Sequence, residues 1–199
     1  MQSLEEILIE CERLHGHMCA GQLLGARMAL LGCRLVGLEN PRGKDRRNTI
    51  VWVEIDRCMA DAVSAATGVR LGKRSLKYVD YGKVAATFLN TETNKAVRVV
   101  ARESSRALAD ERFASIANKK QRQFKAYSEA TDEELFASEM VALELDEMDV
   151  PGSPRSRVIC VVCKEGVNDG REVMRPDGSI VCRGCERGTY YKNLDNPRA

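Results

Sequence analysis

Four cysteines near the C-terminus constrain this chain more than any other feature. They read Cys160-x2-Cys163, then eighteen residues, then Cys182-x2-Cys185. A two-residue gap turns both sulfurs of a knuckle toward one ion, at about 2.3 Å each. Two such pairs close a tetrahedral shell, which suits structural zinc. Arg171 to Met174 and Ser179 to Val181 are short β-prone runs, and Pro176-Asp177-Gly178 is a turn signal between them. That hairpin would carry the second knuckle back to the first, giving a zinc ribbon or a treble-clef finger. Val158, Val161, Val162, Met174 and Val181 are too few to build a core for so short a segment. Metal binding would supply the missing folding free energy, on the order of 10 kcal/mol.

The remaining cysteines, Cys11, Cys19, Cys33 and Cys58, fall in the first 60 residues, with none between Cys58 and Cys160. Two separate sites are therefore expected. The N-terminus lacks the basic start, apolar run and cleavage site of a signal peptide. No window approaches the roughly 18 consecutive apolar residues of a spanning helix. A cytoplasmic chain is expected, with no membrane contact. Thiols stay reduced there, so grouped cysteines point to metal binding or reactivity before disulfides.

Net charge is only +2, which gives no electrostatic footprint for nucleic acid. Residues 151–199 carry nine Lys/Arg against six Asp/Glu. Four thiolates on one divalent ion remove about two of those charges, a poor basis for phosphate binding. The finger is therefore expected to be structural or to dock a partner. A nucleic-acid regulator, with Tyr190 and Tyr191 stacking on bases, is the weakest of three functional readings. Arg112 to Lys125 holds five basic residues and no acidic one, and Ala126 to Asp149 holds nine acidic residues and no Lys or Arg. Such runs are solvated faces or attract each other across a subunit interface.

Ser3 with Glu6 forms a capping box, and Leu4, Ile7, Leu8, Cys11 and Leu14 recur at helical spacing. The first helix should end near His15. After a turn bracketed by Gly16 and Gly21, a second helix runs to about Gly37. Asn40 to Asn48 reads as an exposed loop, and Thr49 to Ile55 as a buried strand. A short helix spans about Cys58 to Thr67, with Gly68 as its C-cap. Val84 to Leu89 and Ala96 to Ala101 read as paired strands. Phe113, Ile116, Ala117, Phe124 and Tyr127 fit one face of a long helix, and Glu139 to Leu145 fits a strand. Thr131 with Glu134 is a second capping box. Pro151-Gly152-Ser153-Pro154 is a linker by composition, so the expected domains are 1–150 and 151–199. Helices and strands without strict alternation favour an α+β core over a doubly wound sheet.

The sharper functional clue is His15-Gly16-His17-Met18-Cys19. The chain's only two histidines lie two residues apart, and a thiol follows within five residues. Neutral imidazole and thiolate both bind zinc and similar ions. Cys19 precedes one expected helix and Cys58 starts another, so each thiol would feel the positive end of a helix and favour the thiolate. If the two helix starts converge, His15, His17, Cys19 and Cys58 would hold a transition metal, zinc among the candidates, with a position open for ligand. Alternatively, Cys58 is a small core residue and Cys19 a buried thiol. Cys11 and Cys33 fall on helix faces and read as core.

These motifs resemble a known family. His15-Gly16-His17-Met18-Cys19-Ala20-Gly21 with Leu24-Gly25-Ala26-Arg27-Met28 looks like the opening motif of the FmdE-like family of formylmethanofuran dehydrogenase proteins. Cys58-Met59-Ala60-Asp61-Ala62, Thr67-Gly68, Gly72-Lys73 and Asp80-Tyr81-Gly82-Lys83 follow in that family's order. The family usually has Pro where this chain has Ala20, and often Cys where it has Val69, which removes a possible extra thiol. The resemblance implies an α+β core with a metal or active site at the His-x-His-x-Cys turn, and a homodimer. It also implies a link to molybdenum or tungsten enzymes or their maturation machinery. The chain carries no iron–sulfur cysteine run or pterin motif, so it is not expected to be the redox catalyst.

Two main readings follow. The first is a metal-binding accessory protein with a structural finger. The second is an enzyme acting on a small anionic substrate. There, His17 or His15 would be general base or the metal would activate water, Cys19 would be ligand or nucleophile, Asp61 would orient a histidine, and Lys83 would neutralise the bound anion.

Overall fold

The computed structural model describes residues 2–192 and 194. The chain divides into two compact units, Met1–Glu144 and Leu145–Ala199. The division falls upstream of the Pro151 linker. Arg171 explains why, since it donates to the Met148 carbonyl at 3.4 Å and pairs with Asp149, tying that stretch to the second unit.

In the first unit, helix α1 (Leu4–His15) starts on a complete Ser3/Glu6 capping box. It stops at Gly16, whose φ of 84° lets its N–H reach the Glu12 carbonyl at 2.8 Å. Helix α2 (Ala20–Leu35) follows, with Leu23, Ala26, Met28, Ala29 and Cys33 buried along it. Strand β1 (Thr49–Val53) leads to helix α3 (Cys58–Thr67), which ends on a left-handed Gly68. Strands β2 (Leu76–Tyr78), β3 (Ala85–Asn90) and β4 (Lys95–Ala101) precede helices α4 (Ala107–Phe113), α5 (Lys119–Glu129) and α6 (Asp132–Leu135). Strand β5 (Phe136–Val141) completes the sheet.

The sheet order is β2-β1-β3-β4-β5. Only β1 and β2 run parallel, and the remaining pairs are antiparallel. Residues of α1, α2 and α3 share one apolar core with the sheet, including Ile7, Met28, Val63, Phe88 and Val97. This is the α+β architecture that the mixed pattern implied. Glu54, just beyond β1, is 5% exposed, and Arg98 on β4 meets it with two hydrogen bonds of 2.7 and 2.8 Å. That bidentate contact offsets the cost of burying the carboxylate.

Helix α2 lies close against α3. A Cβ at Gly25 would stand 2.7 Å from the Met59 carbonyl oxygen and 2.8 Å from the Ala62 Cβ. Backbone cannot yield as a flexible side chain does, so Gly25→Ala must push the helices apart. The expected loss is about 1–3 kcal/mol, read as a lower urea midpoint at unchanged slope.

Two sequence expectations are corrected. The long helix across Phe113 to Tyr127 is two helices, because Asn118 adopts an extended backbone and caps α5, its side chain accepting from the Lys120 and Gln121 N–H groups. The strand expected from Glu139 begins earlier, at Phe136, whose buried ring closes the β4 register opposite Ala101. The basic and acidic runs meet within the chain, in the Arg112–Glu134 and Lys125–Glu129 pairs. Strand β2 was not anticipated, since three residues carry no readable period.

The second unit holds two hairpins and a helix. Strands β6 (Arg157–Ile159) and β7 (Gly166–Asn168) flank the first knuckle, and β8 (Glu172–Met174) pairs with β9 (Ile180–Cys182). The β8–β9 turn is Pro176-Asp177-Gly178, with Gly178 at φ 80° and the Ser179 N–H on Asp177 at 2.9 Å. Helix α7 (Arg183–Arg187) carries Cys185. Knuckle, hairpin and helix in that order make a treble clef, the second of the two finger types expected. Among the described residues, no helix is long and apolar enough to cross a membrane.

Candidate metal centres

The four finger cysteines gather with their sulfurs within 4.8 Å of one another. Cys160 is fully buried beside Val181, and the Cys163 and Cys182 sulfurs stand 3.9 Å apart. Cys182 also caps α7, its sulfur accepting the Cys185 N–H at 3.3 Å. Against the cost of desolvation, the N–H groups of Cys163, Cys182 and Val162 bring the Cys160 thiol down to about 6. The Glu165 N–H favours a Cys163 thiolate, but desolvation and the other three thiols outweigh it and push that thiol up to about 12. Four soft donors that cannot all ionise alone fit a divalent ion, and the pattern is that of a zinc finger.

The second group lies where α1 gives way to α2. Gly16 reverses the chain after His15, and Cys19, in extended conformation, is the N-cap of α2. Within this turn, one donor atom each from His15, His17 and Cys19 comes within 4.8 Å of the others. The two rings lie 4.7 Å apart, tilted by 45°. His17 is exposed, while His15 and Cys19 are half-buried. His15 Nδ1 lies 2.8 Å from the Asp61 carboxylate, one turn into α3. A carboxylate there accepts a hydrogen bond from Nδ1–H, which favours the tautomer whose Nε2 lone pair is free for a metal.

Cys58 sits beside this trio rather than within it. Its thiol hydrogen-bonds Cys19, and a Cβ at Gly21 would stand 3.6 Å from the Cys19 sulfur and 3.8 Å from the Cys58 sulfur. The tighter approach is to the Cys58 Cβ, 3.2 Å from such a Cβ, so the small residue at position 21 lets α3 start close against α2. The helix start does not make Cys58 an acidic thiol. Desolvation, then the contact with Cys19, hold it above the usual thiol range. Cys11 and Cys33 are buried, and burial pushes them up to about 11 and about 12. Lys83 is not brought to this group. It lines a separate cavity of about 240 Å³ with Arg102 and Tyr127, and its ammonium lies 5.8 Å over the Tyr81 ring.

Two hollows flank the turn. One, of about 770 Å³, is walled by His15, Cys58 and Asp61, and the other, of about 400 Å³, by His17, Cys19 and Lys120. Sequence reasoning named the inner wall of the first but not Arg57, Ser64, Arg70 or Tyr78 around it. No periodicity or motif marks those positions.

Over 97 residues, 48% of this chain, the sequence is 35% identical to a "Probable S-adenosyl-L-methionine-binding protein" of Archaeoglobus fulgidus. The match spans about a quarter of that relative's length (26%). A crystal structure of a tungsten formylmethanofuran dehydrogenase FmdE-like protein from Syntrophus aciditrophicus has the same fold. Its TM-score is 0.63 at 24% identity, covering 96% of this chain and 95% of that one. Residues 14–148, which include the His/Cys turn, α3 and the whole sheet, match the family described as "FmdE, Molybdenum formylmethanofuran dehydrogenase operon", and the chain belongs to that family.

Proposed function

We propose that this chain is a metal-binding accessory protein of molybdenum or tungsten enzyme metabolism, working as a homodimer in the cytoplasm. Zinc in the finger folds residues 145–199, and a second transition metal, zinc by its donor types, occupies the His15/His17/Cys19 turn. The observation that carries the reading is the meeting of those three donors within 4.8 Å, backed by Asp61 on His15. Two neutral imidazoles and one thiolate leave a divalent ion one net positive charge and one open position. Cys58 stands close enough to Cys19 to close that position when nothing else fills it. The family's operon association supports the link to the molybdenum enzyme.

A second reading, an enzyme, is favoured by the hollow of about 770 Å³ that opens beside His15. In it the ion, held by the two histidines and Cys19, would activate a bound water toward a small substrate. The name of the Archaeoglobus relative makes S-adenosyl-L-methionine one ligand to try there.

Elemental analysis of the full chain, purified without chelators, is expected to give two metal equivalents per chain. One equivalent, coordinated only by sulfur in X-ray absorption, would leave the finger alone and overturn the core centre. With two present, a water oxygen in the core ion's shell favours the enzyme reading. A shell closed by Cys58 favours the accessory role.

A further inference from the structure

The hollow beside His15, about 770 Å³, is of a size that encloses a small organic molecule. Its body is apolar, lined by Val53, Ile55, Leu71, Leu76 and Tyr78. Its charged rim is uneven. Asp61 is engaged by His15 at 2.8 Å, so Asp56 is the one carboxylate there outside that contact. Facing it are two guanidinium groups, Arg57 and Arg70.

Arg70 is built into place. One of its terminal nitrogens donates to the Ser64 and Val69 carbonyls, each at 3.2 Å, and to the Ser64 hydroxyl. Its Nε and other terminal nitrogen have no partner among the described residues, so the donor fork is fixed and half free. Arg57, the N-cap residue of α3, is exposed and forms no ion pair among the described residues. A half-buried guanidinium held this way loses little freedom on binding a planar acid group.

We propose that this cavity binds a small organic acid with an apolar body. The acid group lies on Arg57 and Arg70, the body packs on Ile55, Leu71 and Leu76, and the far end abuts the His15–Asp61 wall. This deepens the metal-centre reading by naming the class of molecule that reaches the core ion. The lining itself stands without the ion.

The test uses the full chain and two fluorescent probes. One is 8-anilinonaphthalene-1-sulfonate, an aromatic acid, and the other is N-phenyl-1-naphthylamine, the same rings without the acid. The sulfonate is expected to saturate at one per chain. Arg57→Glu and Arg70→Gln should each weaken it by about ten-fold or more while moving the neutral probe by less than about two-fold. Leu71 is 64% exposed, so Leu71→Trp should fold normally, fill the mouth and weaken both probes. Thermal unfolding of each variant confirms folding. Sulfonate affinity unmoved by both arginine variants, or both probes unmoved by Leu71→Trp, would overturn the site. Metal content measured on the same samples separates the two ideas. One equivalent with the expected probe results sinks only the core ion, and two equivalents with indifferent probes sink only the cavity site.

Discussion

Stripping the metal with a strong chelator at neutral pH is expected to unfold the cysteine finger and leave the α+β unit folded. The reason is how little else holds the finger. Its strands are three residues each, and its buried apolar set is Cys160, Val167 and Val181. A core so small cannot offset the chain entropy of its segment. The ion contributes on the order of 10 kcal/mol when thiolates bind it. Cys163→Ser should act like the chelator, since it removes a ligand whose sulfur stands 3.9 Å from that of Cys182. Amide spectra should show the second unit's resonances collapse while those of Ile7, Phe88 and Val97 persist. The same loss should follow acidification. With Cys160 near 6 and Cys163 near 12 when no ion is present, binding must release protons, so lower pH weakens it. A finger that keeps its dispersed spectrum without metal would sink this account.

His17→Ala is expected to abolish occupancy of the core centre while the finger keeps its ion. His17 is exposed, so its loss costs the fold little, and the remaining His15 and Cys19 hold an ion far more weakly than three donors. Asp61→Asn should be milder, lowering core affinity about 10–100-fold, because the carboxylate only fixes the His15 ring and its tautomer. The pair forms a graded series readable by competition with a chromogenic chelator. Equal affinity in all three proteins would show that the trio binds nothing. Unchanged melting temperatures would show that any loss is local.

The sequence made the two cysteine groups legible because each depends on local spacing. Cys160-x2-Cys163 and His15-Gly16-His17 fix their donors within a turn or two of chain. Helix starts at Ser3 and Thr131 were legible for the same reason, since a capping box spans four residues. What depended on distant partners was not. Asn118 divides a helix that looks continuous, because its cap competes locally with a period shared across the break. Arg57, Arg70 and Tyr78 face one hollow only after β1, α3 and β2 are assembled. Lys83 lines a separate cavity, because its backbone N–H is held on the Glu54 carbonyl at 3.1 Å and no local pattern shows where the side chain then lies. The helix position of Cys58 suggests an acidic thiol, but burial and its neighbour Cys19 decide otherwise.

Gly25 offers no donor atom, yet the carbonyl of Met59 would lie 2.7 Å from a Cβ placed there. Helix α2 begins just after Cys19, and α3 begins with Cys58. The gap between the two helix axes therefore sets how far apart those sulfurs stand. If Cys58 closes the proposed core centre, the room left for an ion depends on that helix crossing as well as on the ligating side chains. A bulkier residue at that crossing would move Cys58 relative to Cys19 while His15, His17 and Cys19 kept their places in the turn.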